Sequence, residues 1–224
     1  MALAEPVILV WSGGKDSALA LRALREDPAW RVVGLLTTVT GDYGRVSMHG
    51  VRLDLVRRQA AAVGLPLTEV VIPAGCSNET YEQRMAEALT GPDCAEVSWF
   101  AFGDLFLADI RAYRERQLER LGRRALFPVW GRETAALARE FVAAGFRAVL
   151  TTVDPTRLDP AFAGRDFDDR LLADLPPDVD PCGERGEFHT FVWDGPLFDH
   201  PIAIRTGRVV QRDGFVFCDL VPAG

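Results

Sequence analysis

"VILVWSGGKDSALALRAL", residues 7–24, begins as an apolar run, breaks at Gly13 and Gly14, and resumes with Ala18, Leu19, Leu21 and Leu24 at helical spacing. That pattern predicts a strand, a tight loop and a helix. In an open α/β sheet, ligands sit beyond the carboxyl ends of the strands, which is where this loop falls. Its glycines let backbone N–H groups approach an anion closely, and the helix that follows points its positive end at the same place. Ser12 and Ser17 add hydroxyl donors. Lys15 adds a compact positive charge, and it is the only lysine in a chain with 24 arginines. Arg and Lys are not interchangeable where a point charge must fit under a tight loop, so a lysine kept here suits a phosphate. The loop is not of the Walker type, because Leu9 stands where that pattern needs glycine and Asp16 where it needs Ser or Thr. An Asp beside phosphates is repelled unless a cation intervenes. Asp16 is therefore the candidate metal ligand, for Mg2+ bridging a polyphosphate.

Outward from this loop, apolar β-branched runs predict strands at 32–39, 68–72, 97–102 and 125–129, with a last one at 148–153 closing the series. Helical patterns lie between them at 51–63, 79–89, from Asp104 to Leu121, and at 133–144. Such alternation predicts an α/β fold with a parallel sheet covered on both faces. After Asp154 the texture changes. Residues 159–199 hold nine Asp and two Glu against three Arg, and "PIAIRTGRVVQRDGFVFCDLV" reads as strands joined by Gly-containing turns. The expected organisation is a nucleotide-binding domain over 1–130 and a smaller, β-rich or α+β domain over 131–224.

A net charge of −7 argues against binding nucleic acid by bulk charge. Arg111, Arg114, Arg116, Arg120, Arg123 and Arg124 cluster near one predicted helix, but Glu115 and Glu119 are interleaved, which favours a solvated face. The start "MALAEPVILVW" lacks a basic n-region, and the apolar runs fall short of the roughly 20 residues a membrane helix needs, so the expected location is the cytoplasm, away from membranes. Cys76, Cys94, Cys182 and Cys218 form no CxxC pair and read as free thiols. Asn78, Glu79 and Thr80 fit a glycosylation pattern, but without a secretory route they read as a helix start.

A second dense stretch is "CGERGEFHTFVWDGPLF", residues 182–198. On a strand, Glu187 and His189 would share a face. With Glu184 they could bind an ammonium, orient a carboxylate or move a proton, or they could form an acidic turn leading into a buried strand. His49, before Gly50, either approaches the nucleotide or caps a helix.

The string "SGGKDS" resembles the pyrophosphate loop of the N-type ATP pyrophosphatases. With "CGERGEFHTFVWDGPLF" behind it, and "HG" at 49–50, "FGDL" at 102–105 and "PVWGR" at 128–132 between them, most of the chain resembles the diphthine–ammonia ligase family, also described as the ATP-binding domain 4 family. The resemblance implies a five-stranded parallel sheet of the adenine nucleotide α-hydrolase (HUP) type with a distinct C-terminal domain. It implies ATP-dependent amidation of a carboxylate with release of AMP and pyrophosphate. It places ATP and Mg2+ on Ser12, Gly13, Gly14, Lys15, Asp16 and Ser17, with Gly103 and Asp104 lining the same cleft. Local chemistry puts Glu184, Glu187 and His189 on the acceptor or ammonia side. In the named activity the carboxylate is that of diphthine on elongation factor 2. An Arg-rich, Lys-poor composition is that of a high-GC bacterium, and bacteria do not make diphthamide, so such a source would put another carboxylate in its place. The chain stops at Gly224, short of the extra modules of long eukaryotic members, and residue 2 is Ala, so free ammonia or a separate donor is expected. A homo-oligomer is compatible with the sequence. Two alternatives use the same loop: a transfer-RNA-modifying ATP pyrophosphatase, and a non-catalytic ATP-binding protein.

Overall fold

The computed structural model describes residues 3–223, so Ala2 and Gly224 lie outside the described residues. The first strand, β1 (Glu5–Val10), alternates its side chains between two cores. Val7 and Leu9, with Trp11 just beyond, face one core with α1 (Lys15–Glu26) and α2 (Leu53–Ala62). Ile8 faces the other, with Leu89 of α3 (Asn78–Thr90) and Leu118 of α4 (Ala108–Glu119). A sheet covered on both sides needs apolar residues on both faces, which is why "VILVW" is continuous rather than alternating.

Around β1 lie β2 (Trp30–Thr40), β4 (Leu67–Ile72), β5 (Trp99–Ala101) and β6 (Arg124–Leu126), all parallel, in the order β4-β2-β1-β5-β6. A two-residue strand, β3 (Arg45–Val46), pairs antiparallel with the end of β2. The strand order reverses direction between β1 and β5. The loops after those two strands, at 11–14 and 102–107, therefore open the crevice where open α/β sheets take ligands.

The strand expected to close the parallel series does not do so. β7 (Arg147–Val153) pairs with β8 (Phe188–Asp194) and β10 (Phe215–Pro222), both antiparallel, and β9 (Ile204–Arg212) completes a second, four-stranded sheet in the order β8-β7-β10-β9. Its apolar run is buried on both sides because α5 (Thr134–Ala143) and the first domain's helices cover it. From sequence such a strand is indistinguishable from a parallel one. Along the β7–β8 pair, Leu150 faces Thr190 and Thr152 faces His189, so Thr151 is a bulge residue without an opposite partner. A short helix, α6 (Asp169–Asp174), packs near α5 and begins at an Asp168 cap. The sequon is a helix start: Ser77 Oγ accepts from Thr80 N–H at 3.2 Å.

One apolar cluster runs from Leu9 and Leu21 through Phe141 to Leu150, Phe188 and Phe191, so the two sheets share a core. The seam is also polar. Gln59 of α2 is fully buried and makes three hydrogen bonds: it accepts from Trp11 Nε1 at 2.9 Å, and its Nε2 donates to Gly13 O at 2.9 Å and Val192 O at 2.5 Å. Gly13 O also accepts from Val192 N–H at 2.9 Å. Gly13 has a φ of 79°, and a Cβ there would fall 2.6 Å from Gln59 Oε1, so only glycine fits. Gln59→Leu keeps most of the volume but strands an indole N–H and a carbonyl. It is expected to cost about 2–6 kcal/mol of stability, from roughly 1–3 kcal/mol for each of the two unsatisfied buried groups. Urea unfolding of the variant beside the parent checks this, and an unchanged midpoint would remove Gln59 from the account.

Candidate active site

Helix α1 starts without a side-chain cap of its own, at Gly14. The first helical N–H is instead met from the second sheet, where Lys15 N–H donates to Thr190 Oγ1 at 3.0 Å. Ser17 Oγ donates back to Gly14 O at 2.8 Å, and Ser12 Oγ accepts weakly from Gly14 N–H at 3.3 Å. The loop is thus fixed by β8 on one side and by its own serines on the other, with the positive end of α1 beneath it.

Lys15 is 2% exposed. Its ammonium donates to the carbonyl of Cys182, donates to Asp16 Oδ2 at 2.9 Å, and lies 5.3 Å from the Phe188 ring centroid. The side chain therefore runs inward, into the seam between the sheets, rather than out over the loop. Burial alone would lower its pKa, but the Asp16 carboxylate leads the opposing charges that outweigh it, and the pKa is raised. Burial raises Asp16 in turn, with Lys15 pulling against it. The Cys182 carbonyl is presented by a turn that Asp180 builds. Asp180 Oδ1 accepts from Cys182 N–H at 2.8 Å and its carbonyl accepts from Gly183 N–H at 2.8 Å.

Asp16 Oδ1 is buried and has no hydrogen-bond partner among the described residues. That orphaned acceptor fits a cation. Among the described residues no group of three or more His, Cys, Asp or Glu is placed to hold a metal. A lone carboxylate oxygen of this kind suits a cation that keeps most of its waters, as Mg2+ does.

Gly103 and Asp104 sit beside the loop, in roles the sequence did not show. A Cβ on Gly103 would fall 2.8 Å from the Asp16 backbone carbon, so Gly103 lets the turn after β5 lie against the start of α1. Asp104 is ion-paired to Arg114 at 2.8 Å, which takes one arginine of the α4 cluster out of the solvated face. Others pair outward, Arg111 with Glu115 at 2.8 Å and Arg120 with Glu82 at 3.8 Å.

Glu184 reaches across to the same turn. Its Oε1 accepts from Leu105 N–H at 2.8 Å and Phe106 N–H at 3.4 Å. Burial, helped by the nearby Asp16 and Asp104 charges, pushes its carboxyl up to about 7 despite those two hydrogen bonds. Glu187 turns another way. It is buried, and its Oε1 accepts from Asp180 N–H at 3.3 Å, so it braces the turn that offers Cys182 O. His189 stacks on His49, with ring centroids 4.4 Å apart, and His49 Cε1 lies 3.3 Å from where a Gly14 Cβ would be. His49 is on the turn between β3 and α2 and does not cap α2, whose N-cap is Arg52. Glu187 and His189, expected on one face, thus serve different partners.

The site therefore gathers residues 12–17, His49, Gly103, Asp104, Glu184 and His189 around one crevice, with Lys15 and Glu187 bracing its floor. Sequence reasoning missed Gln59, Thr190, Arg114 and Asp180. Gln59 at a buried position of an amphipathic helix was the one available signal; Thr190 and Asp180 act on backbone groups and Arg114 through an ion pair, and no spacing reveals these contacts. The four cysteines are free, and burial pushes the Cys182 thiol up to about 12. No helix among the described residues is long and apolar enough to cross a membrane.

Two family models match the chain: the diphthamide synthase N-terminal domain over residues 5–125 and the diphthamide synthase C-terminal domain over residues 133–220. The chain is 28% identical to the diphthine–ammonia ligase of Homo sapiens over 232 residues, covering 92% of this chain and 85% of that protein. It is 33% identical to the one from Rattus norvegicus over 243 residues, with the same coverage of 92% and 85%. The match to the Schizosaccharomyces pombe diphthine–ammonia ligase, 32% identical over 185 residues, spans 75% of this chain but only 30% of that longer protein. With both domain models matched in order and nearly end to end, the chain belongs to the diphthamide synthase family.

Proposed function

We propose that the crevice between β1 and β5 adenylates a carboxylate with ATP and passes the acyl group to ammonia, releasing AMP and pyrophosphate. Membership of the diphthamide synthase family carries the reaction class, an ATP-dependent ligase forming a C–N bond. The observation that supports the site is the closure of the 12–17 loop by the 182–190 segment, which sets a phosphate-binding loop against carboxylate and imidazole groups. In this reading 1–130 is the nucleotide side and 131–224 the acceptor side. The acceptor is a carboxylate, with diphthine the first to test because the relatives carry its name. Ammonia is the nitrogen donor, and the cytoplasm is the proposed location.

Adenylation replaces a poor leaving group, hydroxide, with AMP. Ser12 and the first turn of α1 would face the phosphates, with Ser17 fixing that turn through Gly14 O, and Asp16 Oδ1 would hold Mg2+, which would offset the charge on the departing pyrophosphate. Lys15 works from below. Its charge lies within the first turn of α1, and its hold on Asp16 Oδ2 leaves the other oxygen without a hydrogen-bond partner among the described residues. A transfer-RNA thiolase is disfavoured because the cysteines are free and Cys94, Cys182 and Cys218 are buried, which raises their thiols.

Purified protein with magnesium-ATP, ammonium and diphthine-bearing elongation factor 2 is expected to form AMP and pyrophosphate in equal amounts. Release of ADP, or of no AMP with this or any other carboxylate, would overturn the ligase reading. Lys15→Arg keeps the charge but not the fit between Cys182 O, Asp16 and Phe188, and kcat is expected to fall about 10²–10³-fold, the usual loss for one charge-stabilising group. Near-normal turnover would refute this account of the lone lysine.

Glu184 generates a pH prediction. A carboxyl whose pKa is higher in the folded than in the unfolded chain costs stability once it ionises. The cost is absent below the unfolded value of 4.5, grows through about 7 and is complete above it. Glu184→Gln keeps an oxygen for the two N–H groups and removes the charge. Its stability relative to the parent should rise by about 1 kcal/mol between roughly pH 5 and pH 8, allowing for solvent screening of a half-buried group. Urea midpoints across that range check it, and a pH-independent difference would contradict it.

A further inference from the structure

His49 and His189 reach the phosphate-binding loop from separate sheets and meet as tilted imidazoles, 4.4 Å between centroids and 36° between planes. Nδ1 of His49 is buried and has no hydrogen-bond partner among the described residues. An unpaired buried polar atom costs about 1–3 kcal/mol, so one that is firmly held calls for an explanation. This one is firmly held. Met48 and Gly50, on either side, have φ of 66° and 65°. Thr152 Oγ1 donates to His49 O at 3.1 Å, and a Cβ on Gly50 would fall 2.7 Å from the Phe217 ring. Arg45 and Arg52 both clasp Asp219 of β10, at 2.8 and 2.6 Å. Three groups of the second sheet thus fix a turn whose imidazole nitrogen is left empty.

The amidation itself supplies a use. When ammonia attacks an acyl carbon, the nitrogen ends with one proton too many, and a base must remove it. We propose that the His49–His189 pair is the proton acceptor of the acyl-transfer step, with His49 Nδ1 receiving the proton. The C–N bond forms, one N–H proton passes to Nδ1, and the bond between the acyl carbon and the AMP oxygen breaks, AMP leaving as its anion. This rests on the ligase reading above.

The neighbours of the pair decide when it can act. From α1 the charged group is Lys15, while Thr152 of β7 and Phe217 of β10 are neutral. Burial first, then the His189 charge and last the Lys15 charge, hold His49 well below 6.5, against a hydrogen bond between its ring and the Thr190 backbone. Burial and Lys15 hold His189 at about 4. Both rings are therefore neutral and able to accept a proton, but weakened as bases mainly by burial. An anion bound at the 12–17 loop adds negative charge beside both rings and strengthens them as bases. The acceptor is switched on by the phosphates, so protonation of the pair is deferred until the activated acyl group is in place.

The chain has three histidines, and His200 is exposed, which suits a direct test. In the 15N-histidine-labelled protein, long-range 1H–15N spectra are expected to show His49 Nδ1 without a proton at pH 7. Adding magnesium pyrophosphate should raise the apparent pKa of His49 and His189 by one unit or more and leave His200 unmoved. A proton on Nδ1 at pH 7, or no response to pyrophosphate, overturns the inference whether or not turnover is found. In turnover, His49→Gln should keep carboxylate-dependent ATP–pyrophosphate exchange within about threefold. It should also lose about 10²-fold or more in amide formation, the scale of a lost general base. Equal loss in both would place His49 on the nucleotide instead. Absence of exchange in the parent would count against the ligase reading, while the spectra alone would still decide the state of the ring.

Discussion

A buried ammonium must be paired, and the junction between the two sheets is built around that requirement. Lys15 runs into the seam with only its own neighbour Asp16 and a carbonyl from the second sheet to satisfy it. The carbonyl is available because Asp180 and Glu187 tie the 180–187 turn into shape. Asp16, held by one oxygen, keeps the other buried and without a hydrogen-bond partner among the described residues. A structural need and a chemical one are thus met by one ion pair.

The second sheet helps build the 12–17 loop and the turn after β5. Thr190 supplies the cap that α1 lacks, Val192 and Gln59 pin the Gly13 carbonyl, and Glu184 holds the turn after β5. The first sheet alone would leave these donors and acceptors open at the carboxyl ends of β1 and β5. The shared apolar cluster has the same implication, since Leu150, Phe188 and Phe191 pack with Leu9 and Leu21.

Much of this was legible in the residues. The period of "VILVW" and the glycines after it placed the strand, the loop and the helix, because burial on both faces and close backbone approach leave direct marks on composition. The joint occurrence of "SGGKDS" and "CGERGEFHT" placed two sides of one crevice. The direction of β7 was not legible, since a buried strand reads alike in a parallel and an antiparallel sheet. Nor was the inward course of Lys15. A lysine in a glycine loop reads as facing the ligand, and only the position of the Cys182 carbonyl shows where the ammonium goes. Asp104 and Glu187 illustrate the same limit, because a carboxylate's partner 10 or 7 residues away is set by tertiary contact.

Thr151 of β7 and Trp193 of β8 are both unmatched, so the register slips by one residue over Ala148–Leu150 and returns at Thr152, which sets the phase of what β8 presents. Phe188 and Thr190 both meet Lys15, while His189 between them meets His49. Because side chains alternate with a period of two, losing one residue from β7 would offer the opposite set to the crevice. Single-residue deletions in this strand should therefore be far less tolerated over evolutionary time than equal changes in the surface turn at Asp213 and Gly214. Any relative with a changed β7 length must carry a compensating change in β8 to keep its imidazole in place.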